Sequence, residues 1–208
     1  MLPNKDYLNE KLTYTKDGNL IDSEGLPIMM EWEREIMKHD AALICQNGGD
    51  ILNVGFGLGI IDTYIQSYNP KSHWIIESHP DVYNKMVNDG WLEKPNVKVI
   101  FKPWQEVLED LPKFDGIYFD TWKEDQFLFD AYVNRIIKED GVYSFFNNPR
   151  NSDLINCLTK QLLKENFNIL TNPIKIKGPI ENAESYFEKD IKTYWSPECR
   201  LKKNEKIY

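Results

Sequence analysis

The chain has 208 residues, 41% of them hydrophobic and 28% charged, which is enough for one α/β domain with a substantial core. A net charge of -8 leaves no basic footprint for direct binding of nucleic acid, and suits basic, arginine-rich partners or simply solubility. No run approaches the ~18 apolar residues of a membrane span, and the polar start MLPNKDYLNEK lacks the pattern of a secretory signal.

Met1 to Pro27 is polar, with turn signals at Asp17-Gly18 and Glu24-Gly25. A helix is expected from about Met30 to Gln46, where Trp32, Ile36, Leu43 and Ile44 share one apolar face and Gly48-Gly49 ends it. From Ile51 the chain alternates β-rich runs with helical ones. The strands are expected at Ile51–Val54, His73–Glu77, Val97–Phe101, Phe114–Asp120 and Val142–Phe146. Helices are expected at Ile60–Tyr68, Pro80–Gly90, Glu106–Leu111 and Phe127–Ile137, with Pro80 suited to a first turn and Gly141 punctuating before the fifth strand. This alternation implies a mostly parallel sheet covered on both faces. A helix at Leu154–Asn166 and two late strands, Phe167–Lys177 and Thr193–Leu201, complete the chain. No linker divides it, so residues 1–208 are expected to form one domain: 1–50 as an N-terminal segment and helix over the active site, 51–208 as the catalytic sheet. Cys45, Cys157 and Cys199 are scattered, and the histidines do not cluster with them. Reduced thiols in the cytoplasm or nucleus fit better than a disulfide framework, and no metal site is expected.

The stretch I-L-N-V-G-F-G-L-G-I-I-D-T, Ile51 to Thr63, runs from a buried strand through Gly55, Gly57 and Gly59 into a helix. Such a turn lets backbone approach a ligand, with free N–H groups at the helix start. Its G-x-G-x-G spacing departs from the dinucleotide fingerprint and lacks the G-K-[ST] of a P-loop. A nucleoside-type cofactor without a diphosphate fits better, and a purely structural turn is the other reading. Glu77, at the end of the second strand, is placed to bind ribose hydroxyls or to sit exposed at a strand end. Trp104-Gln105 can pack on and hydrogen-bond a purine; a Trp here is equally an ordinary core residue. Asp120 ends the fourth strand, where open α/β sheets bind ligands, and competes with a capping role.

M-M-E-W-E (Met29–Glu33), L-N-V-G-F-G-L-G-I-I-D-T (Leu52–Thr63), I-I-E-S-H-P-D-V (Ile75–Val82) and D-G-W (Asp89–Trp91) resemble the fungal-type arginine N-methyltransferases. So do W-Q-E-V-L (Trp104–Leu108), F-D-G-I-Y-F-D-T (Phe114–Thr121) and Y-S-F-F-N (Tyr143–Asn147). More distantly the chain resembles guanidinoacetate N-methyltransferase, through the W-E, G-F-G and Y-D-T landmarks. The resemblance implies a seven-stranded, Rossmann-like methyltransferase fold ending in an antiparallel hairpin. It implies S-adenosylmethionine as cofactor and S-adenosylhomocysteine as product. Gly55, Phe56, Gly57, Leu58, Gly59, Ile60 and Ile61 would surround the methionine part and sugar. Glu77, Ser78 and His79 would meet the ribose, Trp104 and Gln105 the adenine, Met29 the cofactor's side, and Tyr7 would close over it. Asp120 and Glu33 match the two carboxylates that hold the guanidinium; Glu33 rests on the resemblance alone.

The chain departs from the fungal pattern in two places. Trp122-Lys123-Glu124 replaces F-G-E, and Asn148-Pro149-Arg150 replaces a glycine continuation, both expected at the substrate mouth, with Arg150 on the surface. The ankyrin-like N-terminal region of the fungal enzymes has no counterpart in these residues. Two carboxylates suit methylation of a guanidinium, whether in an arginine-containing protein, on its internal (δ) nitrogen as in the fungal family, or in a small guanidino compound. A non-catalytic cofactor-binding module is the third reading, against which both carboxylates are present.

Overall fold

A computed structural model describes residues 5–123, 126–147, 157–176 and 192–203. Its centre is a seven-stranded sheet built from β4 (Asp50–Val54), β5 (Ser72–Glu77), β6 (Val97–Phe101), β7 (Phe114–Phe119), β8 (Ile137–Phe145), β9 (Phe167–Lys175) and β10 (Thr193–Leu201). The order is β6-β5-β4-β7-β8-β10-β9, with the first five strands parallel and β10 antiparallel to both neighbours. This is the Rossmann-like sheet with a terminal antiparallel hairpin that the resemblance implies. The chain reverses strand order at β4, and ligands bind at the carboxyl ends of strands beside such a reversal.

Alternation along the strands divides the core into two layers. Ile51, Ile75 and Tyr118 face one side, where α2 (Arg34–Ile44), α3 (Ile60–Ser67) and α4 (Pro80–Asn88) contribute Ile36, Met37, Ile44, Ile61, Ile65, Val82 and Met86. Leu52, Val54, Ile117 and Phe119 face the other, against Trp104, Leu108, Phe129 of α5 (Gln126–Asp130), Val133 and Ile136 of α6 (Val133–Ile136), and Leu163 of α7 (Cys157–Leu163). Asn53 breaks the apolar alternation of β4. Its amide donates to both oxygens of Asp62 (2.9 and 3.0 Å) and to the carbonyl of Gly55 (2.8 Å), and Asp62 in turn lies 3.0 Å from His73 Nε2. This fully buried network pins the start of α3 to two strands.

Several elements differ from the sequence reading. The polar approach segment carries a short helix, α1 (Lys5–Leu8), and a three-stranded antiparallel meander, β1 (Thr13–Tyr14), β2 (Leu20–Ile21) and β3 (Pro27–Met29), turning at Gly18 and Gly25. Its Tyr7, Leu12, Leu20 and Met29 join the same core as the sheet. The expected helix from Met30 begins as a 3-10 turn, Glu31–Glu33, before α2. Glu106–Leu111 forms no α-helix but two 3-10 turns, Trp104–Glu106 and Leu108–Asp110, cut short before Pro112. Phe127–Ile137 is divided between α5 and α6, and its last residue already pairs with Phe114 in the sheet. Gly141 lies inside β8: Lys138 to Gly141 bulge out so that Lys138 reaches Asp115 and Asp50 (2.6 and 2.9 Å). The Leu154–Asn166 helix is seen as α7; its expected start, with Glu124, Asn148, Pro149, Arg150 and Lys177, lies outside the described residues.

Asp62→Ala strips Asn53 and His73 of their buried partner. We expect a loss of about 3–5 kcal/mol of unfolding free energy, measured by urea denaturation.

Candidate active site

The turn after β4 uses each of its glycines for a separate steric reason. Gly55 (φ 93°) donates to the Ile76 carbonyl at 2.9 Å, and a Cβ there would lie 1.9 Å from the backbone oxygen of Asp120. Gly57 (φ 54°) passes so close to Met29 that a Cβ would meet its sulfur at 3.2 Å. Gly59 (φ 68°) caps α3 in the left-handed region, and a Cβ would strike the Phe56 ring at 2.4 Å. The side chains between them turn inward: Phe56 packs edge-on against Trp91 at 5.2 Å, and Ile60 and Ile61 enter the core.

Glu77 ends β5 and folds back on this turn. Oε2 accepts the Phe56 N–H at 2.9 Å, and Oε1 accepts the N–H groups of Ser78 and His79 at 2.7 Å each. Burial pushes its pKa up, against the lowering by these N–H donors, Gly57 among them. A carboxylate has about four acceptor sites, so these four donors engage it fully and a ligand hydroxyl at the wall would share a site with one of them. His79 is a helix cap: Nδ1 accepts the Asp81 N–H at 3.1 Å, and the ring packs on Tyr7 with centroids 4.9 Å apart.

These elements enclose a cleft of about 610 Å³, part of it open to solvent, at the carboxyl ends of the strands. Of the residues singled out in the sequence, Tyr7, Met29, Gly55, Gly57, Glu77, Ser78, Trp104 and Asp120 line it. Phe56, Leu58, Gly59, Ile60, Ile61, His79, Gln105 and Glu33 are not on its wall; most of them form the turn, core and cap that hold the lining in place. Trp122, expected at the substrate mouth, lines it too, and Ile28, Val54, Ile76, Val82, Lys102 and Thr121 line it as well and had not been singled out. Trp104 serves both readings offered for it: it walls the cleft and packs edge-on against Phe119 and Phe129.

Behind Asp120 lies a buried acidic cluster. Glu33 is 2% exposed and its Oε1 accepts the Met30 N–H at 2.9 Å, holding the 3-10 turn. Asp40, fully buried on α2, accepts the Ser196 hydroxyl. The charges of Glu33, Asp40 and Asp120 all act on the Tyr118 and Tyr194 hydroxyls, whose pKa values burial raises far above the usual tyrosine range. The same withdrawal from water, with Asp40's charge second, pushes Asp120 up to about 7. Asp40 and Asp120 form no ion pair with a lysine or arginine among the described residues, and with Glu33 acting on the same tyrosine hydroxyls they make a setting that favours a cation. The sequence did carry a signal for Asp40: it interrupts the buried stripe Ile36, Met37, Ala41, Ile44 at helical spacing. Nothing in the sequence singles out Tyr118 or Tyr194 from other strand aromatics.

The profile of the guanidinoacetate N-methyltransferase family matches residues 4–175. A curated relative from Yarrowia lipolytica, protein arginine N-methyltransferase 2, is 39% identical over 91% of this chain and 44% of its own. The protein of the same name from Saccharomyces cerevisiae is 45% identical over 68% of this chain and 37% of its own. The chain thus spans less than half the length of these relatives. In structure it is similar to spermidine synthase from Thermotoga maritima (TM-score 0.66, 16% identity, covering 95% of this chain and 70% of that one). It is also similar to precorrin-6y C5,15-methyltransferase from Geobacter metallireducens (TM-score 0.57, 18% identity, 83% and 90%). Both likenesses concern the fold.

The raised pKa of Asp120 makes its ionisation a cost to the folded state: absent below the unfolded value near 4, growing as pH rises, and complete above about 7. Asp120→Asn is therefore expected to be more stable than the wild type at pH 8, with the difference vanishing by pH 4, in urea unfolding at the two pH values.

Proposed function

The chain belongs to the guanidinoacetate N-methyltransferase family, and on that premise we propose that it transfers a methyl group from S-adenosylmethionine to a guanidinium nitrogen of arginine in a protein. The observation that carries the reading is the Asp120 carboxyl on the wall of a glycine-turn cleft, with Glu33 and Asp40 buried behind it. The cleft fits the cofactor: Gly55 and Gly57 line it with bare backbone, the Glu77 carboxylate stands at the wall, and Trp104 offers an aromatic surface. When bound, S-adenosylmethionine supplies an electrophilic methyl on a cationic sulfonium. Glu77 takes the ribose hydroxyls, with Ser78 beside it; Trp104 walls the adenine; Met29 and the Gly55–Gly57 backbone bound the methionine part; Tyr7 covers the opening.

The remaining chemistry belongs to the acids. A guanidinium has a pKa above about 12 and no free lone pair on a fully protonated nitrogen. Removing its proton first at pH 7 would cost on the order of 7–8 kcal/mol. Two unit charges ~4 Å apart also repel by about 4 kcal/mol at an effective dielectric near 20. Asp120 and Glu33 offset that repulsion, fix the planar fork and polarise the attacking nitrogen. Asp120, basic for a carboxylate, accepts the proton as the new bond forms.

Relatives named for protein arginine, at 39% to 45% identity, support a protein substrate, the δ nitrogen being the site we favour. The name of the family profile supports a small guanidino acid as the second reading. The acidic chain suits a basic partner, and the buried free thiols Cys45 and Cys199 suit a reducing compartment, cytoplasm or nucleus.

The test is a labelled-methyl assay offering guanidinoacetate and arginine-rich basic protein separately, with hydrolysis to identify the product. Label is expected in protein arginine, reduced about 10²–10⁴-fold by Asp120→Asn and about 10²–10³-fold by Glu33→Gln with cofactor affinity retained. The wild-type rate should fall as pH drops through about 7, where Asp120 becomes protonated. Label only in guanidinoacetate selects the second reading; none in either, with cofactor bound, removes the enzymatic one.

A further inference from the structure

Methylation of a guanidinium leaves a proton to dispose of. The N–C bond forms as the methyl's bond to sulfur breaks with its electron pair left on sulfur; the N–H bond breaks with its pair left on nitrogen, and the proton goes to Asp120. Ligands filling the cleft would separate Asp120 from bulk water on that side, while on the other side it meets the buried cluster.

That cluster is continuous with the surface. Asp40 Oδ1 lies 3.1 Å from His39 Nδ1, and the His39 side chain is 37% exposed. Asp40 Oδ2 and the Tyr118 hydroxyl are both buried without a hydrogen-bond partner among the described residues. They lie near enough for each to act on the other's ionisation, and Asp120 acts on Tyr118 as well. Asp120 follows the last residue of β7, and its N–H continues the ladder to the Val54 carbonyl at 2.9 Å, so two positions after Tyr118 its side chain leaves the same side of the sheet. Unpaired polar atoms at full burial call for an explanation. Among the described residues Asp40 also faces Ser196 and Tyr194 of β10 and acts on Asp120, while Glu33, ahead of α2, acts with it on the Tyr194 hydroxyl. Ser196 donates to Oδ1, leaving Oδ2 as the open acceptor.

We propose that Tyr118, Asp40 and His39 form an inward exit for the proton that Asp120 takes from the substrate, an inference that rests on the methyl-transfer reading above. The Tyr118 hydroxyl accepts the proton of Asp120 as it passes its own to Asp40 Oδ2. The Asp40 carboxyl turns to bring that proton to His39 Nδ1, His39 releases one from Nε2 to water, and proton exchange with water resets the imidazole. The net change is one proton delivered to solvent, with the Asp120 carboxylate restored. Asp40 and His39 touch no substrate in this scheme; they position and pass the proton.

The experiment is a single turnover of the full chain with S-adenosylmethionine and whichever of guanidinoacetate or arginine-rich protein the wild type methylates. Methyl transfer is followed by quench and proton release by a pH-indicator dye. In the wild type the two are expected together. In His39→Gln, a change at a half-exposed position, the proton should lag methyl transfer by about tenfold or more, and added imidazole should abolish the lag. Asp40→Asn should show the same lag without imidazole rescue, its S-adenosylhomocysteine affinity serving as the check that it folds; if it does not fold, His39→Gln decides alone. Proton and methyl arriving together in His39→Gln overturns the exit while leaving the methyl-transfer reading intact. A wild type that methylates neither probe overturns that reading, and the exit with it.

Discussion

Gly55 and the carbonyl of Asp120 touch where two neighbouring parallel strands end, at a separation that leaves no room for a Cβ. The Asp120 N–H also donates to the Val54 carbonyl at 2.9 Å, and the Gly55 N–H to Ile76 at 2.9 Å. Three strand ends are thereby fixed within one residue of each other. The glycine turn, the Glu77 carboxylate and the Asp120 carboxylate converge because the sheet ladder is continued past its last paired residues. The buried Asn53–Asp62–His73 network holds the same turn from beneath.

On this scaffold the chain gathers negative charge where it is least tolerated. Glu33, Asp40 and Asp120 come from a 3-10 turn, a helix and a strand end, and burial raises the pKa of the latter two. Such groups are destabilising in the empty protein and become favourable when a delocalised cation with several N–H donors arrives. In the proposed function, stability given up locally makes the site complementary to the charged form of the substrate. Two tasks in that function fall to one surface: the cleft wall would orient a nucleoside ligand through backbone and Glu77, while the acids behind it would orient a cation.

The sheet was legible because each parallel strand is a short β-branched or aromatic run bounded by turn residues, and Thr193–Leu201 matches the observed strand end for end. The meander at Thr13 to Met29 was not, because strands of two or three residues lie below any periodic signal. Leu108 looks helical in sequence yet sits in a 3-10 turn, next to the turn in which Trp104 packs against Phe119 and Phe129. Of the two principal acids, Asp120 could be found from its place at a strand end. Glu33 could not: its neighbours in sequence make it an ordinary helix-start acid, and only the resemblance raised it. Asp40 was readable as a charge on an apolar helical stripe, although what it faces emerges only when β7 and β10 are packed against α2.

The central claim is that this acidic site recognises a positively charged guanidinium rather than a shape. Calorimetric titration of the chain, saturated with S-adenosylhomocysteine at pH 8, with an arginine peptide and with the same peptide carrying citrulline tests it directly, because the urea group is a neutral near-isostere. The account predicts that the arginine peptide binds at least about 100-fold more tightly, the two charge-assisted interactions being worth roughly 1.5–3 kcal/mol each, and that the preference fades below pH 6. Equal affinity for the two peptides would contradict it.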